Sequence, residues 1–147
     1  MRRLRIGIAG AGPAGLAAAL ALHRQGHAVS IFDQFAEPKP IGSGLILQPT
    51  GLAVLDWLGL GARMRSLGAQ IDRLYGKACG SARVVLDVRY EALGDAHGVA
   101  VHRAGLFQVL HDGVKAAGLI VKGASQIKGL VGTSLVLNQD EKSEPFD

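Results

Sequence analysis

Two features of the chain combine residue types and spacing suited to holding a dinucleotide. The first is Gly10-Ala11-Gly12-Pro13-Ala14-Gly15, a turn of the G-x-G-x-x-G pattern. In such a turn the first glycine permits a tight exit from a strand. The second lets the backbone approach a pyrophosphate, and the third lets helix and strand pack closely. Pro13 and Ala14 open a helix whose unbonded N–H groups and positive dipole end face phosphate oxygens. The second feature is Asp33. It follows Gly15 at close to the ~20-residue separation that lets a carboxylate accept hydrogen bonds from adenosine ribose hydroxyls. An acid there disfavours a ribose 2′-phosphate, and so NADP, at this position.

These groups need rigid elements on either side, and the flanking sequence supplies them. Leu4 to Ala9 is a short apolar run of the kind that forms a strand buried on both faces of a parallel sheet. Leu16 to Leu22 is nearly all small or apolar, as suits a helix wedged against that sheet, and Gly26 ends it. Ala28 to Phe32 reads as the second strand, closed by Asp33. The order strand, glycine turn, helix, strand, acid is far more specific than a glycine triplet alone, and it predicts a Rossmann-type βαβ unit.

Further on, Gly42-Ser43-Gly44-Leu45-Ile46-Leu47-Gln48-Pro49-Thr50-Gly51 reads as a glycine-rich turn into a helix, with Thr50 as cap and Gly59 as stop. Val101-His102-Arg103-Ala104-Gly105-Leu106 leads into an amphipathic helix with Leu106, Val109, Leu110 and Val114 inward and Gly118 beyond its end. Arg103 stands at its start, where a cation opposes the helix dipole unless an anion is also present. Segments 71–101, 119–122, 125–131 and 134–138 have the composition of short strands.

The bulk properties exclude several classes. With 147 residues, 48% hydrophobic and 19% charged, the chain is an ordinary globular one. Its net charge of +4 is scattered apart from Arg2, Arg3 and Arg5, with no aromatic platform between the cations, so nucleic acid is not an expected partner. The single cysteine, Cys79, precludes an internal disulfide and a multi-cysteine metal site, and fits a reducing cytoplasm. His23 and His27 have helical metal-pair spacing, but Arg24 stands where a zinc protease carries its glutamate and Gly26 intervenes, so no metal is expected. The uncharged run from Ile6 to Leu22 follows two arginines like a signal peptide, but its glycines interrupt it and it is short for a membrane span of ~20 residues.

Taken together, the glycine turn running on to Gly26, Ile31-Phe32-Asp33-Gln34, the Gly42–Gly51 segment and Val101–Leu106 resemble the FAD-dependent aromatic hydroxylases. This flavoprotein monooxygenase group includes p-hydroxybenzoate and salicylate hydroxylases. The resemblance implies an α/β fold: a Rossmann-like FAD-binding βαβ unit with a parallel sheet, plus additional mixed or antiparallel strands. It implies FAD contacts from Gly10, Gly12, Pro13, Ala14, Gly15, Asp33 and Gln34. It places Gly44 and Leu45 against the flavin ring and ribityl chain, Arg103 near the ribityl and phosphate groups, and the Ile127 backbone at the adenine. Residues 1–70 would form the FAD-binding unit and following helices, 71–101 strands of the substrate side, and 102–147 the return helix and strands.

The implied reaction hydroxylates a small aromatic substrate with O2, NADH or NADPH being the transient reductant. Members of that group are more than twice this length and carry later Asp-Gly and Gly-Asp motifs absent here. The expectation is therefore an incomplete domain with little activity alone, forming a homo-oligomer or awaiting a complementing C-terminal segment. The residues also leave open another FAD-dependent oxidoreductase, or a non-catalytic NAD- or ADP-binding module.

Overall fold

The computed structural model describes residues 2–37, 42–94 and 96–147. Along the chain run β1 (Arg5–Ala9), α1 (Pro13–Arg24), β2 (Ala28–Phe32), β3 (Gly44–Leu47), α2 (Pro49–Trp57), α3 (Gly61–Ser66) and β4 (Ala69–Ile71). They are followed by β5 (Arg73–Lys77), β6 (Val84–Arg89), β7 (Gly98–His102), α4 (Arg103–Ala116), β8 (Val121–Lys122), β9 (Gly129–Val131) and β10 (Ser134–Val136). The chain divides into two compact units, residues 1–41 with 106–147, and residues 42–105.

The first unit is built on a parallel sheet in the order β1-β2-β8, with Ile8 opposite Ile31 and Ile31 opposite Val121. The alanines and leucines of α1 let it lie close to the sheet, and Leu16 and Ala19 are fully buried. Pro at the first helical position starts α1, and Gly26, at φ +90°, turns the chain away beyond its end. From Leu106 onward α4 buries Leu106, Phe107, Val109, Leu110 and Val114. Fully burying side chains such as Leu16, Ile31 and Phe32 contributes about 1.5–3 kcal/mol each. Phe146 lies edge-on to Phe32, 6.1 Å between ring centroids, and over Gly7, where a β-carbon would come within 2.8 Å of its ring.

The second unit holds an antiparallel sheet in the order β3-β7-β4, with Leu45 opposite Val101, and a separate β5-β6 hairpin. Tyr90 is buried, and its hydroxyl donates to Gln48 Oε1 at 2.6 Å. Gly44 to Leu47 thus forms a strand where the sequence predicts a turn. Its apolar residues alternate between half-buried and exposed positions, and their partners on β7 lie far along the chain. Thr50 does not cap α2 either. The helix already starts at Pro49, so the capping position falls to Gln48, which makes no side-chain cap bond. The strand expected over 125–131 shortens to β9, because the chain bends at Gly123 and Ala124 (φ +51°) and Ser125 bonds back to Asp33.

Candidate dinucleotide-binding site

In the first unit the strand–turn–helix geometry assigns each glycine of the turn a separate task. Gly10 adopts φ +95°, a conformation that other L-residues rarely reach. At Gly15 a β-carbon would collide with the carbonyl oxygen of Gly10, so only glycine lets α1 close on the turn. Gly12 differs. Its φ of −72° and ψ of 174° suit any residue, and a β-carbon there would meet no protein atom within 4 Å. Neither a steric contact nor its backbone angles require glycine at position 12; glycine is a favoured N-cap residue, and its bare backbone also leaves room for a pyrophosphate to approach closely.

The turn is fastened to the end of β2 by two consecutive N–H groups. Gly10 N–H donates to the Phe32 carbonyl at 2.7 Å, and Ala11 N–H donates to Asp33 Oδ2, also at 2.7 Å. Asp33 Oδ1 accepts from the Phe35 N–H at 2.9 Å. Leu16 N–H bonds the Gly12 carbonyl at 2.9 Å, so α1 begins at the turn, and the N–H groups of Ala14 and Gly15 lie in its first turn with no earlier helical carbonyl to bond. Gly12 and Ala14 are exposed and Pro13 is half-buried. The donor set is thus backbone N–H at the start of a helix, beside a carboxylate, which fits the phosphates and ribose of an ADP group. Gln34 is exposed in the bend after β2, and Ile127 is half-buried outside the strands.

In the second unit Arg103 and Gly42, far apart in sequence, come together. Arg103 N–H donates to the Ser43 carbonyl at 3.1 Å, and its side chain crosses Gly42, where a β-carbon would lie 2.7 Å from Arg103 Cδ. Gly42 has φ +123°, so both conformation and space call for glycine. Gly44 and Leu45 line a groove of about 580 Å³ together with Ile46, Gly68, Val101 and His102. Sequence reasoning missed Ala11, Gly68 and His102: an alanine N–H carries no side-chain signal, His102 joins the groove through its pairing with Gly44, and Gly68 through its place just before β4. Among the described residues no cluster of His, Cys, Asp or Glu is placed to hold a metal ion, and no helix is long and apolar enough to cross a membrane.

The strand, glycine turn, helix, strand and acid of the first unit define a Rossmann-type dinucleotide-binding domain. Residues 3–132 match the model of the FAD binding domain family, and the chain belongs to that family. It is 30% identical over 126 residues to asperlicin C monooxygenase of Petromyces alliaceus, a match covering 84% of this chain and 28% of that protein. It is 34% identical over 119 residues to 3-hydroxybenzoate 6-hydroxylase 1 of Aquipseudomonas alcaligenes, covering 77% and 30%. The fold is shared with the tetrameric form of 2-methyl-3-hydroxypyridine-5-carboxylic acid oxygenase. There the TM-score is 0.83 at 23% identity, over 99% of this chain and 38% of the other. The match therefore spans about three-tenths of the length of these two relatives.

Proposed function

We propose that this chain is the FAD-holding part of a flavoprotein monooxygenase that hydroxylates a small aromatic substrate, with O2 as oxidant and NADH or NADPH as reductant. The observation that carries the nucleotide reading is Gly12, a glycine that no steric contact requires, in a turn braced to an acid, and the FAD binding domain match over residues 3–132 supports FAD as that nucleotide. Relatives named for hydroxylation of 3-hydroxybenzoate and of 3-amino-4-hydroxybenzoate support the aromatic substrate class.

In this reading Gly10, Gly12, Pro13, Ala14 and Gly15 hold the pyrophosphate, Asp33 and Gln34 the adenosine ribose, and the Ile127 backbone the adenine. Gly44 and Leu45 face the flavin, and Arg103 offsets negative charge on the cofactor. FAD, when bound, supplies the redox and oxygen-activating chemistry; the residues of this chain bind it, orient it and exclude water. Segment 71–101 is assigned to the substrate side. Exposed Val85 and Leu86 on β6 favour either a second copy or a complementing polypeptide as cover. Cys79 is an exposed free thiol, which suits a reducing cytoplasm.

The test is titration of the purified chain with FAD, ADP, NAD+ and NADP+, followed by flavin fluorescence and absorbance. FAD is expected to bind with quenched fluorescence, ADP to compete, and NADP+ to bind most weakly. Binding of NAD+ without FAD would overturn the reading. The chain alone is expected to give little NADH-dependent oxygenation of a phenol and benzoate panel, and robust turnover would contradict that expectation.

A further inference from the structure

An acid that ends the second strand of such a unit can be read as a ribose ligand alone. The hydrogen bonds around Asp33 assign it a second task. Its main chain is fixed on both sides: its N–H donates to the Lys122 carbonyl at 2.9 Å, and its carbonyl accepts from Ser125 N–H at 2.8 Å. Its carboxylate therefore projects from a held position, with Oδ2 on Ala11 N–H at 2.7 Å and Oδ1 on Phe35 N–H at 2.9 Å. Ala11 is only 1% exposed, so its N–H has little access to water as an alternative acceptor. Gly10, beside it, has the broad conformational freedom of glycine and is tied to β2 by its own N–H bond to Phe32.

We infer that Asp33 is a positioning residue that sets the glycine turn, through Ala11 N–H, before any nucleotide arrives. The turn then presents its phosphate-facing N–H groups already in place, and binding need not supply the ordering of a glycine-rich segment. This use of the carboxylate is separate from a ribose contact and makes an opposite forecast for a ligand with no ribose. The inference rests on the ADP-site reading of the turn, but its test does not require FAD.

The experiment compares the ligand-free chain with Asp33→Asn and Asp33→Ala, using amide hydrogen exchange at Ala11 and Phe35 and titration with inorganic pyrophosphate. Asn retains one acceptor oxygen for Ala11 N–H and Ala retains none. The Ala variant is expected to lose Ala11 protection and to bind pyrophosphate about tenfold more weakly, the scale of one lost charge-assisted hydrogen bond. The Asn variant is expected to keep Ala11 protected, lose protection at Phe35, and bind pyrophosphate at least as well as the parent, since a nearby negative charge is gone. If Asp33 served ribose alone, both variants would bind pyrophosphate as tightly as the parent or more so, with Ala11 unchanged, and that result overturns the inference. Should the Ala variant fail to fold, the parent decides: an Ala11 amide that exchanges at the unprotected rate without ligand overturns it. Failure of the parent to bind FAD, with Ala11 protected, would instead count only against the proposed function.

Discussion

The carbonyl oxygen of Gly10 occupies the place where a β-carbon at position 15 would have to lie. One backbone atom of the turn thus dictates the third residue of the helix, so turn and helix cannot be altered separately. Gly15→Ala forces α1 away from the turn and is expected to cost about 1–3 kcal/mol, the scale of overpacking a closely packed contact. FAD affinity should fall with it. Thermal unfolding and flavin titration of the variant check both.

Gly12→Ala should behave in the opposite way. The backbone there accepts alanine and the added methyl meets no protein atom within 4 Å. Stability should change by about 1 kcal/mol or less, the reduced freedom of the unfolded chain being opposed by alanine's poorer fit at the N-cap, while affinity for FAD and ADP falls sharply. A destabilised variant with unchanged affinity would show that glycine 12 serves packing after all.

Gly42 and Arg103 form a second coupled pair. Gly42→Ala places a β-carbon 2.7 Å from Arg103 Cδ and requires a positive φ of an alanine. It should destabilise the second unit by at least ~1 kcal/mol and move the guanidinium. Arg103→Gln leaves Gly42 undisturbed, so it should weaken FAD binding with little change in melting temperature. Calorimetry paired with FAD titration separates the two effects.

The first unit should lose stability on acidification through two groups. Burial, and then Lys115, hold the His111 imidazole below its ordinary value of 6.5. The unfolded chain therefore takes up that proton first, and stability falls as pH drops from about 6.5 toward the depressed folded value. His111→Gln should flatten this slope in denaturant melts between pH 7 and 5. Asp147 is held below 3.8, chiefly by the Arg5 N–H at 2.8 Å and then by Arg2. Its contribution is present above 3.8 and disappears as pH falls through the lowered value. Asp147→Asn should remove that lower part of the acid transition.

The glycine turn, α1, β2 and the terminal acid were legible because each depends on local chemistry: an apolar strand, punctuating glycines, a proline start and small packing residues. What escaped is long-range. The glycines at 42 and 44 suggest a turn, and only pairing with β7 makes 44–47 a strand. Three-residue β4 is too short to announce itself. Phe107 adds to the inward face of α4 beyond the leucines and valines that the spacing marks. The bond between Asp33 and Ala11 could not be read at all, because main-chain donors look the same at every residue.

The central claim is that residues 10–15 and Asp33 hold the ADP half of FAD. Amide shift mapping of the isotopically labelled chain during FAD titration tests it most directly. The largest shifts are expected at Gly12, Ala14, Gly15 and Asp33, reproduced by ADP and diminished in Gly12→Ala. Saturable FAD binding that leaves those amides unmoved would contradict it.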